Sequence, residues 1–240
     1  MEKSRVIAIV LSGGKGTRLK SDIPKQYIRV KDRAVFSYSL ETIADHPDIE
    51  SVVIVAADEW RQYILDEMKG SVALTKKFIG FANPGDNRQL SVWNALELIK
   101  NYPGDNEKYS FDCDELVMIH DAARPNISGD LISRLIDAYF GHDGVMPAEP
   151  MKNTIYSSED GLKITGLLDR SKVFAGHTPE LFDFAKYYQA NQILLPDRIK
   201  TINGSSEPAL MAGMDIVMVD NDEENYKITT KEDLDRFTVS

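Results

Sequence analysis

Ser12, Gly13, Gly14 and Gly16 follow the apolar run Val6–Leu11, and Arg18 and Lys25 come next, Lys25 directly behind Pro24. Small residues after a strand let backbone amides touch an anion with no side chain in between. Cations beside such a loop suit it to a phosphate. Without the cations, the glycines fit a tight turn that binds nothing just as well. Two familiar phosphate loops are excluded. The stretch lacks the G-x-x-x-x-G-K-[ST] of a P-loop, and Gly14-Lys15-Gly16-Thr17-Arg18-Leu19 has leucine where a dinucleotide fingerprint needs a third small residue. Further on, "NPGDNRQLSVWNAL" puts Gly85, Asp86, Arg88 and Ser91 at the entry to a helix. "MIHDAARPNIS" puts His120, Asp121 and Arg124 directly after a buried strand, with Pro125 closing the turn. "GHTPELF" supplies Thr178, and "ENYKITTKEDL" supplies Glu224 and Lys227.

The elements that must position these residues alternate. Val6–Leu11, Ser51–Ala57, Lys76–Ala82, Glu115–His120, Gly144–Glu149 and Asp215–Asp220 have the length and composition of strands. Several are apolar throughout, as strands covered on both faces are. Helical patterns lie between them at residues 34–46, 58–69, 87–100, 129–140 and 178–190. The alternation predicts a mainly parallel, three-layer α/β sheet. Thr230 and Asp233 have capping-box spacing and predict the start of a last helix. Residues 152–174 break the rhythm, with two β-prone pieces around Glu159-Asp160-Gly161, a hairpin turn signal. The pattern leaves two placements for this hairpin: an arm that reaches a neighbour, or an edge of the same sheet.

Composition bounds the rest. The 240 residues are 42% hydrophobic, which is ordinary for a globular chain. No apolar stretch approaches membrane length, and the first apolar run is too short for a signal peptide. The single cysteine, Cys113, excludes an intramolecular disulfide and a Cys-rich zinc site, so the chain reads as cytoplasmic. A net charge of −10 argues against a nucleic-acid partner. No repeat or linker divides the chain, which reads as one domain over residues 1–240 with an excursion at 150–175.

"LSGGKGTR" followed by "PKQY" resembles the signature loop of nucleotidyltransferases that activate sugar or polyol phosphates. With "HDAARP" and the late "KIT", the chain resembles the cytidylyltransferases of the 2-C-methyl-D-erythritol 4-phosphate type and their ribitol 5-phosphate relatives, from Val6 to Phe237. The resemblance implies a Rossmann-like nucleotidyltransferase domain with a protruding β-hairpin arm, moving CMP from CTP to a polyol or sugar phosphate and releasing pyrophosphate. It implies that Ser12, Gly13, Gly14, Gly16, Gly85, Asp86, Ser91 and Ala122 surround the nucleotide. It gives the catalytic roles to Arg18, Lys25 and Lys227, with Arg18 and Lys25 on the triphosphate. Asp121, helped by Glu224, would hold Mg²⁺, and Arg124, Arg170 and Thr178 would serve the acceptor. It also implies a homodimer in which the arm carries Arg170 to the partner's site. The acceptor phosphate is itself the nucleophile, so no general base is needed, and His120 and His177 read as structural polar groups.

The departures from the family pattern concern the acceptor. Where methylerythritol members read T-D-[DE]-A-S, this chain has "TINGSSEPALMAG", with Asn203 for the threonine, Gly204-Ser205 for the acidic pair, and Thr201 two residues earlier. Glu224 replaces an aspartate, Tyr226 precedes Lys227, and "KNTIY" replaces D-T-I-K. These changes incline the acceptor toward another polyol phosphate, such as ribitol 5-phosphate of surface polysaccharide assembly, with methylerythritol phosphate of isoprenoid precursor synthesis as the alternative. Two rivals remain: a nucleotide sensor on the same fold, and an enzyme using UTP, GTP or dTTP. The retained Arg18, Lys25 and Asp121 favour catalysis, and "HDAARP" favours CTP.

Overall fold

The computed structural model describes residues 5–14, 23–102 and 115–239. Gly16, Arg18 and Cys113 lie outside the described residues. The chain opens with β1 (Arg5–Leu11), a short hairpin of β2 (Arg29–Val30) and β3 (Arg33–Ala34), and α1 (Val35–Asp45). There follow β4 (Ile49–Val55), α2 (Asp58–Met68), α3 (Val72–Lys77), β5 (Phe78–Ala82) and α4 (Arg88–Lys100). Next come β6 (Glu115–Asp121), α5 (Gly129–Ala138), β7 (Gly144–Pro150), β8 (Ile155–Ser157), β9 (Gly166–Leu168) and β10 (Phe174–Gly176). The last elements are β11 (Glu180–Asp183), α6 (Phe184–Gln192), α7 (Ser206–Met211), β12 (Ile216–Asp220) and α8 (Lys231–Val239).

The main sheet runs β5-β4-β1-β6-β11-β7, with β12 and β10 also on β7. β5, β4, β1 and β6 are mutually parallel, as are β7 and β12, while β11 runs antiparallel between β6 and β7. Alternation along β1 shows why its sequence is apolar throughout. Val6, Ala8 and Val10 join a core with Phe36 and Leu40 of α1, Ile64 of α2 and Leu131 of α5. Ile7 and Ile9 join a second core with Val92 and Leu96 of α4 and Tyr187 of α6. A strand between two helical layers has no face left for polar side chains. The expected three-layer α/β architecture is present.

One expected helix is a correction. The pattern at 178–190 splits into β11 and α6. Leu181 and Phe182 are fully buried, but they belong to opposite cores, which a strand accomplishes with adjacent residues and a helix does not. Asp183 then caps α6, accepting from the Lys186 amide at 2.7 Å. The capping box at Thr230 is as expected: Asp233 N donates to Thr230 Oγ1 at 3.3 Å, and Thr230 N donates to Asp233 Oδ2 at 2.8 Å. The expected hairpin also forms, and β8 pairs with β9 in a two-stranded sheet separate from the main one. It springs from the antiparallel stem of β7 and β10. Among the described residues, no helix is long and apolar enough to cross a membrane.

Candidate active site

The parallel strands β1, β4, β5 and β6 end together, and their loops are laced by backbone bonds. Ser12 N donates to Val55 O at 2.9 Å, Ala56 N to Ala82 O at 3.1 Å, and Ala122 N to Leu11 O at 3.1 Å. Above this edge lies a cavity of about 750 Å³. Ser12, Gly13, Gly14, Lys25, Gly85, Asp86, Ser91, Asp121 and Lys227 of the expected site all line it. Residues more than 200 positions apart in sequence thus share one hollow.

The glycine loop is held from below. Gln26 Nε2 donates to Ser12 O at 2.6 Å and to Gly14 O at 2.7 Å, and the Tyr27 hydroxyl donates to Ser12 O at 2.9 Å. Tyr27 stacks on Trp60, with centroids 4.2 Å apart and planes 14° apart, which fixes the ring that fixes the loop. A Cβ on Gly13 would come within 2.7 Å of Pro84, so this glycine brings two loops into contact whatever binds above them. A Cβ on Gly85 would meet Leu90 and Ser91 of α4 at 2.3–2.9 Å. Ser91 Oγ accepts from the Gly85 amide at 3.0 Å, so the expected nucleotide-binding serine also shapes its own loop. Ala122 is fully buried under the edge, and Ala123 beside it lines the cavity.

Asp121 ends β6 and is 7% exposed. Lys227 Nζ donates to Oδ2 at 2.7 Å and Arg88 Nη2 to Oδ1 at 3.1 Å. Burial by itself pushes this carboxyl up, but Arg88 and Lys227 outweigh burial and hold it far below the usual carboxylate range. The two cations thus favour a charged carboxylate at the cavity. Next to it, complete burial pulls His120 down to about 4, and its neutral ring donates from Nε2 to Arg124 O at 3.0 Å. His177 Nδ1 lies 3.0 Å from Arg124 Nη1. Neither histidine lines the cavity.

Other expected residues lie elsewhere. Arg124 is buried beside Asp121 and donates to Asn225 O at 2.8 Å, bracing the segment that carries Lys227 instead of lining the cavity. Thr178 is buried too, its hydroxyl accepting from the Asp121 amide at 3.2 Å. Arg170 sits on an exposed turn at the stem of the arm and donates to Lys152 O at 3.0 Å, away from the cavity of its own chain. Glu224 departs furthest from expectation. Its carboxylate pairs with Arg236 at 2.9 Å and faces a separate hollow with Lys31, Tyr38 and Phe237, because Asn225 to Ile228 turns Lys227 inward and Glu224 outward. Among the described residues no group of three or more acids, histidines or cysteines is arranged to hold a metal ion. Glu59, Asp86 and Asp121 are the acidic residues of the cavity wall among the described residues, and Mg²⁺ is usually held by one or two carboxylates together with substrate phosphates and water. Gln26, Tyr27, Trp60 and Arg88 were given no role from sequence. The "KQY" of the opening stretch was the available signal for the first two, and the arginine beside Asp86 for the last.

The family model for IspD, 2-C-methyl-D-erythritol 4-phosphate cytidylyltransferase, matches residues 6–238. The chain belongs to this family. It is accordingly a CTP-dependent cytidylyltransferase. The 2-C-methyl-D-erythritol 4-phosphate cytidylyltransferase of Petrotoga mobilis is 31% identical over 96% of this chain and 95% of its own length. The bifunctional enzyme IspD/IspF of Paramagnetospirillum magneticum is 30% identical over 97% of this chain, which spans 56% of that relative. The 4-diphosphocytidyl-2C-methyl-D-erythritol synthase structure from Anaerococcus prevotii has the same fold, with a TM-score of 0.81 and 22% identity over 99% of this chain and 96% of that one.

Replacing Gln26 by alanine removes the donor shared by two loop carbonyls. The expected result is CTP binding weaker by about 10-fold, from a loss near 1–2 kcal/mol; calorimetric titration with CTP measures it, and an unchanged Kd removes Gln26 from the loop's support. His120 makes a pH prediction. Its folded value, about 4, lies below the ordinary 6.5, so the unfolded chain binds the extra proton, and stability falls as pH drops from 6.5 toward 4. Urea melts of His120→Gln against the parent should show a shallower acid loss, and parallel pH profiles would contradict it.

Proposed function

We propose that this cytidylyltransferase uses 2-C-methyl-D-erythritol 4-phosphate as acceptor, in preference to the ribitol 5-phosphate to which the sequence departures inclined. The supporting observation is where those departures lie. Thr201, Asn203 and Ser205 do not line the cavity. Thr201 Oγ1 donates to Arg198 O at 2.8 Å, the Asn203 amide to Glu207 at 2.8 Å, and Ser205 is buried under Arg88. Thr201 and Asn203 are engaged within their own segment and Ser205 with Arg88, all outside the cavity, so their change from the family pattern carries little information about the acceptor. Relatives named for methylerythritol phosphate match nearly the whole chain.

In this reading an acceptor phosphate oxygen attacks the α-phosphorus of CTP in line. A new P–O bond forms there while the bond to the β-phosphate oxygen breaks, and pyrophosphate leaves. Both reactants are anions, so charge and alignment dominate the barrier. Lys25, and by resemblance Arg18, hold the triphosphate over the amides of the glycine loop. Lys227, next to Asp121, is placed to meet an incoming phosphate. Asp121 would hold Mg²⁺, which supplies charge neutralisation at the phosphates when bound.

The hairpin supports a homodimer. Leu167 of β9 and Leu162 and Ile164 of the connection before it are 67–89% exposed, and a two-stranded sheet by itself is marginal in water and gains from a covering partner. A second copy would receive Arg170 at its cavity.

Three outcomes are expected. Pyrophosphate release from CTP should be fastest with methylerythritol 4-phosphate in a panel that includes ribitol 5-phosphate, and should vanish with chelator and return with Mg²⁺; faster release with ribitol 5-phosphate reverses the acceptor, and full activity without metal removes the role of Asp121. Lys25→Ala should lower kcat on the order of 100-fold with a smaller change in the KM for CTP, as loss of a transition-state cation does; a normal kcat takes Lys25 out of the reaction. Leu167→Asp should shift sedimentation toward monomer, and a persistent dimer would mean that the arm is not the interface.

A further inference from the structure

Arg88 is the first residue of α4 and joins the cavity carboxylate to buried groups outside the cavity. On one side its Nη2 and Nε reach Asp121 Oδ1 at 3.1 and 3.4 Å. On the other, Nη1 donates to Ser205 Oγ, and Nη2 lies 3.8 Å from Glu180 Oε2. Glu180 is 5% exposed on β11 and accepts from the Ser205 hydroxyl and the Ser206 amide. Ser205 is 1% exposed, and its carbonyl accepts from the Tyr187 hydroxyl at 2.8 Å. The guanidinium is thus gripped at both ends, by three elements that meet only in the folded chain.

We propose that Arg88 is a positioning residue for nucleotidyl transfer, with Ser205 and Glu180 anchoring it from behind. The planar fork fixes the direction of its donors, so Asp121 Oδ1 is held at a set angle while Oδ2 faces Lys227. Glu180 matters because it stands near the same Nη2 that binds Asp121 and accepts from the Ser205 hydroxyl, so it holds in place the serine that receives Nη1. A lysine would keep the charge but could not reach Asp121 and Ser205 at once. This inference rests on the cytidylyl-transfer reading of the cavity and not on the choice of acceptor.

The test uses Arg88→Lys, Ser205→Ala, their double variant and Glu180→Gln in the full chain, assayed with whichever acceptor the wild-type enzyme uses. A wrong acceptor assignment is then visible in the wild type and leaves the comparison intact. Steady-state kcat, CTP Kd by calorimetry without acceptor, and thermal melting are measured for each variant. Arg88→Lys should lower kcat by about 10–100-fold with CTP Kd within about threefold, as loss of an orienting partner does. Ser205→Ala should lower kcat by about 3–10-fold, the worth of one hydrogen bond. The double variant should be no worse than Arg88→Lys, because Ser205 acts through Arg88. A kcat within twofold of wild type in Arg88→Lys overturns the proposal. So do fully additive losses, or a loss confined to CTP Kd, which would make Arg88 a nucleotide contact. If melting shows Arg88→Lys unfolded, Ser205→Ala and Glu180→Gln decide: lowered kcat at unchanged CTP Kd supports the relay, and unchanged kcat in both overturns it.

Discussion

A carboxylate at the end of β6, almost closed off from water, is the constraint around which the rest is arranged. Burying Asp121 costs several kcal/mol unless charge and hydrogen bonds surround it. Arg88 comes from the start of α4, Lys227 from the segment before α8, and the Thr178 hydroxyl and its own loop hold the backbone. Each of these requires another element to be in place first. The Asn87 cap starts α4 at the right residue, accepting from Leu90 N at 2.7 Å. Arg124 and Asn225 fasten the chain before Lys227, and Ile228 N donates to Ala123 O at 2.8 Å. Asp121 is thus the knot that ties the late segment to the first half of the chain.

The glycine loop meets the same problem from the other side. It has to be bare enough for an anion to reach its amides, so it offers few side chains with which to hold itself. The support comes from outside, through Gln26, Tyr27 and the Trp60 ring beneath. Lys25 shares a short turn with these two residues, so the element that fixes the loop also delivers the cation to it. A chain with a net charge of −10 gathers anions by such local placement, because its overall field repels them.

Far from the cavity, the hairpin arm and the Glu224 hollow show how neighbours in sequence serve different surfaces. Glu224 and Lys227 are three residues apart, yet one pairs with Arg236 at the outside and the other with Asp121 within. Arg170 likewise stands close in sequence to strands of the main sheet but on the exposed stem of the arm.

The sequence by itself determined the layered fold and part of the cavity wall. Runs such as Val6–Leu11 are apolar at every position because both faces are covered, and that is visible in one dimension. Gly13 and Gly14 were legible as an anion loop because backbone approach needs small residues just past a strand end, while Gly85, Asp86 and Asp121 entered through the family resemblance. Residues 178–190 misled, since a four-residue buried strand directly before a helix has the same apolar content as one longer helix. Only the tertiary structure decided the partners. Nothing in the chain order says that Arg88 meets Asp121, Ser205 and Glu180, that Gln26 supports Gly14, or that Glu224 turns away from the acid it was expected to join. Hydrogen bonds and ion pairs act over a few ångströms, and which groups come that close is set by packing two helical layers on one sheet, not by spacing along the chain.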